Sequence, residues 1–166
     1  VFWFLPYAIA TGNAMVVKPS EKVPLTMIKI FELIDQLDLP NGLVSLVHGG
    51  KHSVDALLEH PFVKAVSFVG STPVAKYIYS KGTQNGKRVQ AQGGAKNPVV
   101  LMPDCDIEMT SKIVADSVYG CAGQRCLAAS VIVTVDDNKR KLKDTLYDMV
   151  KSRKTGYGWN DEIDMG

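Results

Sequence analysis

The sequence is poor in the residues that build metal sites and disulfide frameworks. It has three cysteines and three histidines among 166 residues, and no two cysteines are separated by just two residues. Structural zinc sites use four Cys or His ligands at short spacings, and disulfide-stabilised secreted domains carry an even, dense set of cysteines. We therefore expect no metal site, no disulfide framework and a reducing compartment.

Long hydrophobic runs and an excess of charge of one sign are missing as well. The chain begins in an apolar run, VFWFLPYAIA, which Pro6 interrupts and which is too short to span a bilayer. The 19 basic and 17 acidic residues are interspersed and give a net charge of +2. We therefore expect neither a membrane nor a nucleic acid as a partner. We expect the run to form a buried helix and, because no initiator methionine precedes it, the chain to be an internal fragment.

What is present is the composition of a globular domain, with 46% hydrophobic and 22% charged residues. Short runs rich in β-branched and aromatic residues, such as AMVVKP and VKAVSFVG, alternate with segments of helical hydrophobic spacing. Three such alternations are typical of parallel βαβ units, whose sheet is covered by helices on both faces. The sequence therefore predicts an α/β fold with a parallel sheet and flanking helices.

The pattern changes near residue 90. A strand, a Gly-Gly loop and a second strand lead into a helix predicted over Ile107–Tyr119, with Asp106 at its start. The segment ASVIVTVDD then predicts a strand, and NKRKLKDTLYDMVKSRK an amphipathic helix. We place a domain boundary at this change, with residues 1–90 in one domain and residues 91–166 at the start of a second.

Two segments have the chemistry to bind a nucleotide beyond the carboxyl ends of strands. In VVKPSE, Lys18 offers a donor and Glu21 an acceptor for two ribose hydroxyls, although a solvated turn fits the same spacing. In FVGST, Gly70 and Ser71 lead into a helix whose first amides favour phosphate, although such turns also serve as plain caps. The fingerprint G-x-G-x-x-G is absent from the sequence.

The third candidate is YGCAGQRCLA, which holds two of the three cysteines. A thiolate is the reactive form of cysteine, and the neighbouring Arg125 guanidinium favours it at Cys126. The backbone N–H of Cys126 is a candidate donor to an oxyanion formed at the carbon it attacks. Cys121 has no such neighbour, so we expect a small packing residue there. A buried, unreactive Cys126 is the alternative that composition leaves open.

Together and in this order, the three segments resemble the aldehyde dehydrogenase superfamily, over essentially the whole chain. The resemblance implies a Rossmann-like NAD-binding domain followed by the start of an α/β catalytic domain. It implies that Cys126 is the catalytic nucleophile. It also implies a set of NAD-binding residues on the adenosine ribose and near the pyrophosphate: Lys18, Pro19, Ser20, Glu21, Phe68, Gly70 and Ser71.

The Gly-Gly loop departs from the common family pattern. Most hydrolytic members carry Glu-Leu-Gly-Gly-Lys, in which the glutamate activates water against the thioacyl enzyme, whereas this chain has the sequence AQGGA with Ala91 first. Alanine cannot accept a proton, so another acceptor must release the acyl group, and the thiol of coenzyme A (CoA) is a good nucleophile. With the segments GCAGQRCLA and GYGWNDEIDMG, this loop resembles the CoA-acylating methylmalonate-semialdehyde dehydrogenase branch.

That branch implies an NAD-dependent oxidation of methylmalonate semialdehyde or malonate semialdehyde to propionyl-CoA or acetyl-CoA with loss of CO2, in valine and pyrimidine catabolism. Arg125 suits the substrate carboxylate, because a guanidinium holds a carboxylate through two hydrogen bonds. The resemblance further implies a homo-oligomer, a tetramer, in the mitochondrial matrix of a eukaryote or the cytoplasm of a bacterium. It implies that the isolated chain is inactive.

Two alternatives stay open beside this reading. One is another NAD(P)-dependent aldehyde dehydrogenase, either hydrolytic or CoA-linked, with a substituted Gly-Gly loop. The other is a non-catalytic structural descendant that kept the fold. A thiol at Cys126 that is labelled faster than the other cysteines would count against the second alternative.

Overall fold

The computed structural model describes residues 1–135 and 138–166, in which helices and parallel strands alternate. The helices are α1 Leu5–Ala10, α2 Leu25–Ile34, α3 Lys51–Glu59, α4 Thr72–Gln84, α5 Ile107–Tyr119 and α6 Asn138–Lys151. The strands are β1 Met15–Val17, β2 Val44–Leu46, β3 Ala65–Val69, β4 Arg88–Gln92, β5 Pro98–Leu101 and β6 Val131–Thr134. A 3-10 segment, Gly120–Gly123, follows α5 directly. Asp136 and Asp137, which the sequence places at the end of a strand, lie outside the described residues.

The strands pair two by two, β1 with β2, β3 with β4 and β5 with β6, and each pair is parallel. A helix connects the two strands of every pair, which is the βαβ arrangement that parallel pairing requires. This confirms the predicted α/β class. In the pair formed by β5 and β6, Val100, Val131 and Val133 are exposed, and the opposite face packs on α5 and α6.

The chain divides into two compact units, Val1–Gly93 and Gly94–Gly166. The boundary predicted between residues 90 and 91 falls inside β4. That strand stays with the first unit because Arg88–Gln92 pairs residue by residue with Ala65–Val69. The functional roles predicted for the two domains stay predictions.

Helix α5 has the bounds that the sequence predicts, and it supports the cysteine segment that follows. One carboxylate oxygen of Asp106 accepts from the backbone N–H groups of Glu108 and Met109, each at 3.0 Å, and so caps the helix. Its inner face packs into the core of the second unit, which comprises Leu101, Ile107, Val114 and Leu142. Each buried aliphatic side chain stabilises the fold by about 1.5–3 kcal/mol, so this packing holds α5 against its neighbours in the second unit.

Helix α1 is less buried than the sequence predicts. Leu5 is its buried residue, whereas Phe2, Trp3 and Tyr7 of the same apolar run are exposed. The helix makes its contacts with β1, and a strand of three residues is too short to cover it. The prediction of a buried helix was therefore right about the helix and wrong about its burial.

An ion cluster joins α3 to α4 in the first unit. The carboxylate of Asp55 lies 2.6 Å from Lys51 Nζ and 3.0 Å from Lys81 Nζ, and it accepts from the Tyr77 hydroxyl at 2.5 Å. Hydrogen bonds from Lys51 and Tyr77 hold the pKa of this carboxyl well below its usual range. Glu59, whose Oε1 lies 2.7 Å from Lys81 Nζ, is the main cause of a raised pKa at that lysine.

We expect this cluster to make the free energy of unfolding fall in acid. A carboxyl with a lowered folded-state pKa stabilises the fold above its unfolded pKa of 3.8 and loses that contribution as the pH falls toward the folded value. Lys81, whose pKa is raised from 10.5 by Glu59 and Asp55, stays protonated in acid, so its own titration adds no pH dependence there and matters only in strong alkali. Asp55→Asn should therefore lower the free energy of unfolding at about pH 7, and its difference from wild type should shrink toward about pH 2.

Urea unfolding at a series of pH values measures this difference. Asp38→Asn, which changes an exposed carboxylate after α2, is the control and should leave the pH dependence as it is in wild type. A constant difference between Asp55→Asn and wild type over the whole acid range would contradict the prediction.

Candidate active site

Lys18 and Glu21 lie just beyond the carboxyl end of β1. Lys18 Nζ donates to the backbone carbonyl of Gly49 at 2.8 Å, beyond the end of the neighbouring β2, and to the carbonyl of Pro19. Glu21 Oε2 lies 4.0 Å from the same nitrogen, and Ser20 is exposed in the same turn. An ammonium has three N–H donors, so one is left for a further acceptor. A donor and a carboxylate therefore stand together at the strand edge where open parallel sheets bind ligands.

Gly70 and Ser71 connect β3 to α4. The backbone N–H of Gly70 donates to the carbonyl of Gln92 at 3.1 Å and extends the β3–β4 ladder. A β-carbon on Gly70 would lie 2.4 Å from the Phe68 ring, so any other residue here would have to displace that ring. Ser71 precedes α4 in an extended conformation without a side-chain cap hydrogen bond. The Ser71 side chain therefore does not cap α4, and the positive end of the helix dipole favours an anion.

Cys126 lies at the edge of a buried segment and is itself exposed. The two residues at positions 128 and 129 are buried alanines, whereas the Cys126 side chain reaches solvent. Cys105 is half-buried. The structure thus contradicts the alternative of a buried Cys126. Its role as a nucleophile stays a prediction.

The guanidinium of Arg125 contacts the end of α5. It donates to the backbone carbonyl of Asp116 at 2.7 Å, and the carboxylate of Asp116 pairs with Arg153. A β-carbon on Gly120 would lie 2.4 Å from the same guanidinium, so the glycine leaves the space that the arginine needs. The hydrogen bond shown for Arg125 is therefore a second one to a helix-end carbonyl, which also accepts from the backbone N–H of Gly120, and sequence reasoning did not foresee it.

Cys121 is exposed, so the expectation of a packing residue was wrong. It lies in a left-handed turn in which Cys121, Ala122 and Gly123 have φ values of 52°, 53° and 67°. Left-handed backbone costs about 1–2 kcal/mol for each residue other than glycine. The turn therefore places strained backbone between α5 and Cys126.

Asn97 is the site residue that sequence reasoning missed. Its side-chain Nδ2 donates to the backbone carbonyls of Cys126 at 2.7 Å and of Ala128 at 3.0 Å. Asn97 directly precedes Pro98, the first residue of β5. A polar amide before a proline at a strand start was the one local signal, and by itself it names no partner.

Ala91 lies on β4, directly opposite Phe68 of β3, and is half-buried. Its side chain is a methyl group, which neither donates nor accepts a proton. Position 91 therefore supplies no general base.

The described ranges contain no group of three or more His, Cys, Asp or Glu side chains that could hold a metal ion. Within the same ranges, the helices are too short or too polar for any of them to cross a membrane.

Comparison with known sequences gives a match to the aldehyde dehydrogenase family over residues 1–166. The chain is 48% identical over 165 residues to the malonate-semialdehyde dehydrogenase of Pseudomonas aeruginosa, an alignment that covers 99% of this chain and 33% of that protein. The chain therefore spans about a third of the length of the relative it matches.

Comparison with solved structures gives the same family. One solved structure is that of a Sinorhizobium meliloti protein assigned as a methylmalonate-semialdehyde dehydrogenase, in complex with NAD. It superposes with a TM-score of 0.91 at 45% identity, and the match covers 99% of this chain and 34% of the Sinorhizobium chain. The betaine aldehyde dehydrogenase of Staphylococcus aureus, solved with NAD+, gives a TM-score of 0.88 at 34% identity, covering 99% and 33% of the two chains.

Proposed function

Because this chain belongs to the aldehyde dehydrogenase family, we propose that it carries the NAD site and the nucleophile of an enzyme that oxidises malonate semialdehyde or methylmalonate semialdehyde and passes the acyl group to CoA. Two of its relatives, at 48% and 45% identity, bear the names of these semialdehydes. The observation in the chain itself that carries the proposal is the exposed thiol of Cys126 on an anchored backbone.

The residues beyond β1 and β3 fit NAD. Lys18 and Glu21 present a donor and a carboxylate 4.0 Å apart, which matches the adjacent hydroxyls of a ribose. Gly70 and the start of α4 suit a pyrophosphate, because the helix dipole favours negative charge and a glycine leaves room for it. Bound there, NAD would accept the hydride that leaves the substrate carbon.

Cys126 forms the covalent bond to the substrate. Its thiolate attacks the aldehyde carbon and gives a thiohemiacetal, whose oxyanion the Cys126 backbone N–H can stabilise. Loss of hydride then converts the carbon into the carbonyl of a thioester on Cys126.

Transfer to CoA completes the reaction in this proposal. Ala91 provides no base to activate water, so the thioester persists until the CoA thiolate attacks its carbonyl and expels the Cys126 thiolate. Cleavage of the C–C bond to the substrate carboxylate releases CO2, the electron pair left on the α-carbon takes up a proton, and the product is acetyl-CoA or propionyl-CoA.

Arg125 retains the capacity to hold the substrate carboxylate. A guanidinium has five N–H donors, and the hydrogen bond to the Asp116 carbonyl uses one of them. A two-bond contact with a carboxylate needs two more. The Arg125 side chain is therefore able to donate to the Asp116 carbonyl at the end of α5 and to bind the substrate carboxylate at the same time.

We expect the complete enzyme that carries this chain to form acyl-CoA as its product. Incubation with malonate semialdehyde, NAD and CoA should give NADH, CO2 and acetyl-CoA in equal amounts, measured by absorbance, trapped CO2 and mass spectrometry. Leaving out CoA should stop the reaction after about one NADH for each active site. Rapid steady NADH formation without CoA, with a free carboxylic acid as the product, would identify a hydrolytic enzyme instead.

A further inference from the structure

The backbone around Cys126 is held by one side chain from the start of another strand. Both N–H groups of the Asn97 amide are used, one on the carbonyl of Cys126 at 2.7 Å and one on that of Ala128 at 3.0 Å. The two bonds bracket Leu127 and leave the carbonyls little freedom to rotate. Asn97 lies 29 residues before Cys126 in the chain, so this contact depends on the fold of the second unit.

Asn97 is itself fixed in place. Its backbone N–H donates to Ser130 Oγ at 2.9 Å, and its backbone carbonyl accepts from the N–H of Ser130 at 2.9 Å. The next residue, Pro98, restricts Asn97 to extended backbone and begins β5, which pairs with β6 from Val131 onward. The side-chain amide of Asn97 is therefore held by well-fixed backbone at the start of a paired strand.

Further hydrogen bonds hold the backbone of Ala128 and Ala129, on the C-terminal side of Cys126. Ser117 Oγ, from α5, accepts from the backbone N–H of Ala129 at 3.0 Å, and the N–H of Ala128 donates to the carbonyl of Arg125 at 2.9 Å. The backbone on the C-terminal side of Cys126 is thus tied to β5 and to α5, while the thiol stays exposed. By contrast, Cys121 lies in a turn with positive φ.

We propose that Asn97 is a positioning residue, which fixes the backbone of Cys126 so that the thiol meets the aldehyde carbon in a productive geometry. The proposal rests on Cys126 being the nucleophile. A thiol that attacks a bound carbon must be held closely in place, and small misplacements cost large factors in rate. Asn97 acts through the backbone and touches neither substrate nor cofactor in this role.

Asn97→Asp in the complete enzyme tests the proposal with almost no change in size. The carboxylate has no N–H to donate and faces two carbonyl oxygens, so the segment should shift. We expect the single-turnover rate of NADH formation at about pH 8 to fall about 30-fold, as for the loss of two ordinary hydrogen bonds. The Kd of NAD, measured by calorimetry, should stay within about twofold.

The pH profile separates positioning from a general loss of stability. Two carbonyl oxygens raise the pKa of a carboxyl at position 97 above its usual value of about 4, and the protonated form can donate one hydrogen bond. The ratio of the wild-type to the Asn97→Asp rate should therefore shrink from about pH 8 to about pH 5. Asn85→Asp is the matched control, since Asn85 donates through its amide to the Lys81 carbonyl at the end of α4 in the first unit. It should show neither the loss nor the pH-dependent ratio.

Each remaining outcome has a definite meaning. A rate for Asn97→Asp within about twofold of wild type, or a loss equal to that of Asn85→Asp, overturns the proposal. If Asn97→Asp does not fold, Asn97→Ser takes its place, because its hydroxyl can satisfy only one of the two carbonyls and a loss of about tenfold is expected. An unchanged rate in Asn97→Ser overturns the proposal as well. If Cys126→Ala still gives the NADH burst, the nucleophile assignment fails before the role of Asn97 is reached.

Discussion

Cys126→Ala should abolish aldehyde-dependent NADH formation in the complete enzyme, with a loss of about four orders of magnitude or more. A nucleophile that forms the covalent intermediate cannot be replaced by its neighbours, and removal of such a group commonly costs as much as removal of the whole catalytic set. Stopped-flow absorbance on a single turnover measures the loss directly. The same variant should bind NAD as wild type does, because Cys126 takes no part in the proposed contacts with the ribose or the pyrophosphate.

Cys121→Ala is the matched control, five positions earlier in the same exposed segment. It should keep its activity within about threefold of wild type, since its only expected effect is on a strained turn. Iodoacetamide labelling should give the same order, with Cys126 modified before Cys121 and Cys105. Full activity in Cys126→Ala, or equal losses in the two variants, would remove Cys126 from the mechanism.

Those parts of the fold that depend on local signals could be predicted from the sequence. The carboxylate of Asp106 caps α5, and a glycine follows Tyr119, the last residue of the helix. The sequence signals for both ends of α5 therefore lie within a few residues of the ends themselves. Gly70 and Ser71 likewise stand at the junction of β3 and α4, as predicted. Such signals place each candidate residue on the right element.

What the sequence could not supply was the contacts between distant residues. The bond from Asn97 to Cys126 needs the start of β5 beside the segment that precedes β6, and no spacing rule joins positions 29 apart. Arg125 stands next to Cys126 in the sequence, which favours an electrostatic partnership between the two. In the fold, its long side chain turns back to the Asp116 carbonyl, because the exposed end of α5 offers an acceptor.

Burial was also hard to predict where it depends on which surfaces meet. The apolar sequence around α1 predicts a buried helix. Strand β1, however, has only three residues and is too short to cover the helix, so Trp3 and Tyr7 remain exposed. Cys121 illustrates the same point on a smaller scale, because its exposure follows from a left-handed turn that its residue type does not favour. The residue type sets how strongly a side chain tends to be buried, and the packing of neighbouring elements decides whether that side chain is in fact buried.

Ala91→Glu should give the complete enzyme a turnover that does not need CoA. The family resemblance puts the water-activating glutamate of hydrolytic members at position 91, and β4 presents a half-buried methyl group there in this chain. A general base contributes about 10²–10⁴-fold to such a step, so steady NADH formation without CoA should rise about 100-fold or more in the variant. The first turnover, which ends at the thioester, should be unchanged because it does not use this base.

Ala91→Gln is the control that separates proton transfer from size. Its side chain has the length of glutamate but cannot accept a proton near neutral pH, so it should leave turnover dependent on CoA. Equal gains in the two variants would mean that bulk at position 91, rather than a base, admits water to the thioester. If wild type already turns over rapidly without CoA, the base lies elsewhere in the enzyme and Ala91 does not decide the acyl acceptor. The pair of variants thus tests whether one methyl group in β4 directs the thioester on Cys126 to a thiol instead of to water.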